Sequence, residues 1–350
     1  FKGAAIATAS TDANAAVTGL SLPFPLNPPY IMEFTSTPGT TIDITTGMFP
    51  VITTMRTVIT AEMLTGGGQI YTTPLTTMAV DLAVKHADSN VSPYSGNSDG
   101  AVTEAEFIAA LQVAASQVVS TVGFGMSGDI DIFNAPPLVN DSTDTEAELT
   151  EVASYRTAVE ALTAVVYNMA VDAGLASVDT MLSELIDDLS SDGIIDGNVE
   201  SGPSASYTVD SLTLFTADPA TLVIPNTATL VSDVVTVLAA ETATTGTTAD
   251  TTALTDGTIV PVLEAAEPDS DLDGDLVLNS DDNCPVDANP DQTNTDGLAD
   301  GGDACDLDDD EDGTPDTSDD FPLDPLEDTD TDSDTVGDNA DNCPLIANTD

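Results

Sequence analysis

Hydrophobic and polar positions change their period three times along this chain. Between residues 30 and 60, apolar side chains alternate with polar ones in short runs at 30–35, 41–45 and 51–60, which predicts half-buried strands. At Thr73-Pro74 the spacing becomes helical: Thr73 can cap, Pro74 suits a first turn, and Leu75, Met78, Leu82 and His86 share one stripe of a helix over 75–87. Two more helix starts carry a capping box. Thr103 with Glu106 opens a helix to about residue 122, and Thr145 with Glu148 opens one to about residue 173. The second has a broad apolar face of Leu149, Ala153, Val159, Leu162, Val165, Val166 and Met169. A fourth helix over 178–189 completes a set that can pack as a bundle. Alternation returns at 207–209, 212–215 and 221–224, whereas 231–240 is both β-branched and Ala-rich and reads as strand or helix. Residues 241–255 are mostly Thr and Ala and predict a linker. Past residue 268 neither period survives, and Asp recurs on alternate residues between Gly, Asn and Cys-Pro. The expected fold is multidomain α+β: a β-sandwich over 1–66, a helical bundle over 67–200, a β segment over 201–240, a linker over 241–268 and irregular acidic repeats over 269–350.

Charge narrows the function. The chain of 350 residues has 62 acids against 4 bases, Lys2, Arg56, Lys85 and Arg156, for a net charge of −58. A surface of that sign repels phosphate and excludes nucleic acid as a partner. It also suits a salt-rich medium in which cations screen self-repulsion. His86 is the only histidine, so a zinc site or a Ser-His-Asp triad has little to draw on. There is no phosphate loop, GxSxG or HExxH, and at 4% aromatic residues a sugar-binding cleft is disfavoured. An enzyme is not expected. No apolar run is long enough to span a bilayer, so direct membrane insertion is not expected either.

The acids themselves are spaced for chemistry. Asp308, Asp310, Asp312, Asp316 and Asp319 take positions one, three, five, nine and twelve of a twelve-residue loop with Gly313 at the sixth, the spacing of a calcium loop. Calcium takes about six to eight hard oxygens at roughly 2.3–2.6 Å, and alternate side chains of a tightly curled loop can converge on one ion. Asp330, Asp332, Asp334, Asp338 and Asp341 fill a second loop with Thr335 at the glycine position. Asp271, Asp273, Asp275, Asn279 and Asp282 fill a third with Leu276 there. A fourth, carrying Asn294, Asp296, Asp300, Asp303 and Asp306, is one residue too long. With 29 acids, no Lys or Arg and few apolar residues, the stretch 269–350 is expected to be disordered in chelator and ordered with Ca²⁺. The Asp-Gly pairs at 192–193 and 196–197 read as turns.

Around these loops stand Asp282-Asn283-Cys284-Pro285, Asn289-Pro290-Asp291-Gln292, Gly302-Asp303-Ala304-Cys305-Asp306 and Asp341-Asn342-Cys343-Pro344. Over about the last quarter of the chain this resembles the thrombospondin type 3 repeat of bacterial extracellular proteins. The resemblance implies acidic loops wrapped on a string of calcium ions, and a disulfide between Cys284 and Cys305. Cys343 is expected to find its partner beyond Asp350. Departures are Leu276, Thr335, the overlong loop, and Phe321-Pro322 where Cys-Pro would stand. Upstream, residues 95–106 are similar to an EF-hand loop, with Asn97, Asp99 and Glu106 at positions three, five and twelve; the capping box of Thr103 and Glu106 accounts for part of the same pattern without metal. The start, Lys2-Gly3-Ala4-Ala5 with a later Thr45-Thr46-Gly47 turn, looks like the transthyretin-like sandwiches of bacterial surface proteins. Its first strand, residues 1–10, can pair within its own sheet or be donated to a neighbour's open edge.

These readings converge on a secreted or cell-surface, calcium-binding structural or adhesive protein, with homo-oligomer or fibre assembly through the N-terminal strand. The alternative is a calcium-stiffened spacer carrying a distal cell-envelope anchor; an extracellular hydrolase is the weaker third.

Overall fold

The computed structural model describes residues 5–11, 17–18, 21–22, 26–66, 69–90, 93–197, 207, 213–269, 271, 275–278, 281–284, 287–298 and 301–348. Two compact units emerge, 1–88 with 99–270, and 89–98 with 271–350. In the first, β1 (Ser10–Thr11) pairs antiparallel with β2 (Val17–Thr18), and β3 (Tyr30–Thr35) pairs antiparallel with β4 (Thr54–Ile59), Tyr30 opposite Ile59 and Thr35 opposite Thr54. After α1 (Ala61–Gly66) come the helices that hold the core. These are α2 (Pro74–His86), α3 (Glu104–Val122), α4 (Glu146–Asp172) and α5 (Val178–Asp192). Thr73, Thr103 and Thr145 each cap with a reciprocal box, satisfying N–H groups that the first turns of α2, α3 and α4 leave without a partner. Leu75, Met78 and Leu82 of α2 are buried, as are Leu149, Ala153, Leu162, Val165, Val166 and Met169 of α4, while Val159 is half-buried. By length and composition alone α3 could cross a membrane, but here Phe107, Ala110, Leu111, Ala114, Val118 and Val122 are core residues packed in the helical layer.

The strands depart from expectation. Among the described residues they form two separate two-stranded ladders, with no second layer that would make a sandwich. The run at 41–45 is a turn: Asp43 Oδ1 accepts the Thr45 N–H at 2.8 Å and the Asp43 N–H donates to Met48 O, so Asx chemistry overrides β-branched propensity. Further on, 213–215 is helical rather than extended: α6 (Thr213–Thr216) holds Phe215 buried, and residue 212 lies outside the described set. At 221–224 a 3₁₀ turn (Pro219–Thr221) leads into one bridge, Val223 to Leu230. Residues 208–209 lie outside the described set. The ambiguous 231–240 is a 3₁₀ turn followed by α7 (Val234–Thr245), and the stretch expected as a linker carries the end of α7 and α8 (Thr252–Thr255). Sparse apolar positions decide this, since Leu238, Leu254 and Ile259 pack on Val139, Leu149, Val152 and Ala153.

The outer edge of β4 is closed by side chains. Thr76 Oγ1 donates to Arg56 O at 2.8 Å, the Arg56 N–H donates to Thr77 Oγ1 at 2.9 Å, and Asp179 accepts the N–H groups of Thr53 and Thr54, each at 2.8 Å. Burial pushes the Asp179 carboxyl up, yet the hydrogen bonds from Thr53, Thr54 and Ser177 outweigh it and hold the group below the usual carboxylate range. A depressed folded-state pKa adds stability above the unfolded value and loses it as pH falls through the folded one. Asp179→Asn is therefore expected to lower the urea midpoint at neutral pH, with the gap to wild type closing below about pH 4. A gap that stays constant down to acid pH would contradict this.

Each basic side chain among the described residues ties elements together. Arg56 joins Glu33 of β3 and Asp81 of α2, and Lys85 of α2 joins Asp187 of α5. Arg156 of α4 is buried, and all five of its N–H donors are used: Nε to Glu160, Nη1 and Nη2 to the two oxygens of Glu241 on α7, and the remaining pair to Pro137 O and Thr45 Oγ1. Burial pushes the Glu160 carboxyl up and Arg156 pulls it only part of the way back.

Candidate metal centre

Among the described residues of 271–348, in the second unit, regular structure is confined to one 3₁₀ turn (Asp316–Ser318). Their loops instead repeat one set of hydrogen bonds. The first-position carboxylate accepts the sixth-position N–H: Asp271 Oδ2 from Leu276 at 3.0 Å, Asp308 Oδ2 from Gly313 at 3.1 Å, Asp330 Oδ2 from Thr335 at 2.8 Å. The fifth-position carboxylate accepts the N–H two residues on: Asp275 from Val277, Asp312 from Thr314, Asp334 from Val336. The twelfth does likewise: Asp282 from Cys284, Asp319 from Phe321, Asp341 from Cys343. Phe321 thus takes the backbone role of a cysteine. The sixth residue is left-handed in all three, at φ 78° for Leu276, 97° for Gly313 and 77° for Thr335. Side chains there cost about 1–2 kcal/mol in that conformation; the loop keeps its shape without glycine because the first Asp holds the N–H.

This geometry gathers two carboxylate triads, Asp308–Asp310–Asp312 and Asp330–Asp332–Asp334, each with ligand oxygens within 4.8 Å of one another. Several oxygens are shut from solvent without a hydrogen-bond donor, among them Asp282 Oδ2, Asp296 Oδ2, Asp308 Oδ1, Asp310 Oδ2, Asp319 Oδ2 and both of Asp332. Desolvation pushes the Asp310 and Asp332 carboxyls up, reinforced by Asp312, Asp319 and Asp308 around the first and Asp334, Asp341 and Asp330 around the second. Buried side chains in this stretch are Asp275, Asp310, Asp341, Glu327, Asn289 and Cys284. Leu276, Leu307, Leu326, Leu345 and Ile346 are all exposed, Leu276 to 93%. An interior of carboxylates beneath exposed leucines inverts the ordinary hydrophobic arrangement. Hard oxygen donors alone suit calcium rather than zinc or copper.

In the overlong loop the extra residue is absorbed before position nine. Thr295 N–H and Oγ1 donate to Asp303 Oδ1 and Oδ2, as Thr331 does to Asp338, and Asp306 then accepts the Asp308 N–H as a twelfth-position residue. Its fifth position falls on Leu298, whose N–H donates to Asp296. Asp273, Asn279 and Asp300 lie outside the described residues. The Cys284–Cys305 disulfide is present and Cys343 is a free, exposed thiol. Asn283 and Gln292 brace the intervening turn: Asn283 donates to the carbonyls of Gln292 and Thr293 and accepts from Asn289, while Gln292 accepts the Asn283 N–H and donates to Asp282. Gly302 has no alternative there, since a Cβ would come within 2.4 Å of the Asn283 side chain. The spacing of acids did not reveal these two bracing amides; the DNCP and NPDQ phrases were their signal.

Upstream, Glu106 Oε2 accepts the Thr103 N–H at 2.7 Å in the capping box and Asp99 Oδ1 accepts the Ala101 N–H. Asn97 falls in the other unit from these two. Among the described residues the two triads are the sites where three acidic ligand atoms converge.

The thrombospondin type 3 repeat family matches residues 268–292 and 328–350, the stretches holding loops 271–282 and 330–341. Repeats of this family are extracellular, structural calcium-binding modules. No curated protein and no solved structure gave a significant match.

Proposed function

From a chain whose C-terminal part carries thrombospondin type 3 repeats, we propose a secreted or cell-surface structural or adhesive protein whose acidic loops are ordered by calcium. The carboxylate interior of residues 271–348 carries this reading: a side-chain core of Asp275, Asp310, Asp341 and Glu327 needs cations where other proteins use hydrocarbon. Asp308, Asp310, Asp312, Asp316 and Asp319 would hold one ion, and Asp330, Asp332, Asp334, Asp338 and Asp341 another. Asp271, Asp275 and Asp282 with Asp273 and Asn279 form a third set, and Asn294, Asp296, Asp303 and Asp306 with Asp300 a fourth.

A fibre form of the same function is favoured by the β3–β4 ladder. Thr76, Thr77 and Asp179 close the outer edge of β4, so β3 is the edge to which a donated N-terminal strand could add. Calcium titration followed by solution scattering tests both parts at once, reporting ion uptake and assembly. Absence of any calcium uptake would reject the function; uptake without growth in particle size would reject the fibre alone.

A further inference from the structure

We infer that residues 320–328 form a preorganised docking loop, which presents Leu323 and Leu326 to a protein segment whose apolar face is flanked by Lys or Arg. The inference rests on the adhesive reading above, for which it names the kind of partner. The loop is closed at its base and braced from beneath. Asp320 N–H donates to Asp328 O at 3.2 Å, Asp324 N–H donates to Phe321 O at 2.9 Å, and the Leu326 and Glu327 N–H groups both donate to Asp324 O, at 2.6 and 2.9 Å. Pro322 and Pro325 fix two further φ angles. Glu327 is buried, its Oε2 accepts the Asn339 N–H at 2.9 Å, and Asn339 Nδ2 donates to Leu326 O at 2.6 Å. A Cβ on Gly337 would collide with the Glu327 carboxylate, so that seat admits only glycine.

None of these bonds uses a leucine side chain. Where the earlier repeat has Cys284 and its disulfide, Phe321 stands half-buried, and beyond it the chain turns outward. Leu323 is 59% exposed and Leu326 76%. One exposed leucine is ordinary, but two on a braced loop whose fold needs neither make a surface ordered before any partner arrives, which lowers the entropy lost on association. The same turn recurs in the next repeat. Ile346 N–H donates to Cys343 O as Asp324 N–H does to Phe321 O, and Leu345, the counterpart of Leu323, is again exposed.

Charge selects the occupant. Asp320, Asp324 and Asp328 flank the leucines and are exposed, in a stretch of 29 acids without Lys or Arg. A complementary surface has to be positive at its rim. A second copy of this chain does not supply one: Arg156 is buried, Arg56 and Lys85 are held by Glu33, Asp81 and Asp187, and Lys2 is then left against 62 acids. The occupant is therefore a different protein with a basic amphipathic segment, apolar in the middle to cover the leucines and cationic at the edges to meet the aspartates.

The test measures fluorescence anisotropy of two labelled peptides with the full chain in saturating calcium and physiological salt. One is an amphipathic helix of Leu and Lys; the other has equal charge with Ser in place of Leu. Wild type is expected to prefer the Leu/Lys peptide by about tenfold or more. The double variant Leu323→Ser with Leu326→Ser should lose that preference while its bound calcium, counted by equilibrium dialysis, stays unchanged; Val171→Ser, at an exposed site on α4, should keep it. Four outcomes overturn the inference: equal binding of both peptides by wild type; a double variant that retains the preference; a double variant that loses calcium, which would make the leucines part of the ion-binding frame; or self-assembly of wild type in light scattering that the double variant abolishes, which would make a second copy the occupant. Absence of calcium uptake with the peptide preference intact would reject the function proposed above and still support the docking loop.

Discussion

Excess chelator is expected to abolish the ordered structure of residues 271–348 while leaving the helical unit folded. Among the described residues of that stretch the one buried apolar side chain is Cys284, and the Cys284–Cys305 disulfide constrains a single loop. Against the mutual repulsion of the acids and the entropy of fixing the backbone, about 1–2 kcal/mol per residue, the loops set hydrogen bonds worth about 0.5–1.5 kcal/mol each, which do not suffice. An ion held at about a hundred times its dissociation constant contributes about 2.7 kcal/mol, so several ions together outweigh any other interaction in the unit. Hydrogen exchange resolves the two parts: amides of 271–348 should lose protection in chelator and regain it on adding Ca²⁺, while α2 to α5 stay protected throughout. Equal protection of the loops in both conditions would defeat the calcium account.

Removing the Arg156 guanidinium should be the most damaging single substitution in the helical unit. Arg156→Ala leaves Glu160 and Glu241 buried beside one another with no cation, and also strips Pro137 O and Thr45 Oγ1 of a donor. Breaking a buried pair in this way costs about 3–5 kcal/mol, a large part of a domain's stability. Replacing all three by apolar residues, as in Arg156→Met with Glu160→Leu and Glu241→Leu, should recover most of it, because neither charge then has to be desolvated. Urea unfolding in saturating calcium, read from helical circular dichroism, measures both. If the triple variant is no more stable than Arg156→Ala, the loss is one of packing rather than charge.

Local chemistry made much of this molecule legible from its residues. The caps at Thr73, Thr103 and Thr145 placed three helices to within a residue or two, because a capping box is satisfied by atoms close in the chain. The acidic loops were visible for the same reason: position and ligand lie within twelve residues. What escaped was set by distant partners. Strand propensity at 41–45 yielded to an Asx turn, and the start of β4 is held by Asp179, far along the chain, which takes the N–H groups of Thr53 and Thr54. The Thr/Ala run hid α7 and α8, since three apolar residues and Glu241 suffice to anchor it, otherwise largely exposed, when Arg156 and Val152 wait on another helix. Within the repeats, Leu276 and Thr335 looked like defects yet adopt the backbone of Gly313, because the first-position aspartate holds the turn.

Arg156 is also the last basic residue in the chain, and it is sealed inside the helical unit. Trypsin therefore finds no cleavage site from Thr157 to Asp350, and the bond that would release this long fragment is reachable only when α4 opens. An aspartate- or glutamate-directed protease has its targets crowded into the acidic loops instead. Digestion of one sample by the two enzymes in parallel thus supplies separate clocks, the first timing the opening of the helices and the second the release of cations from the repeats.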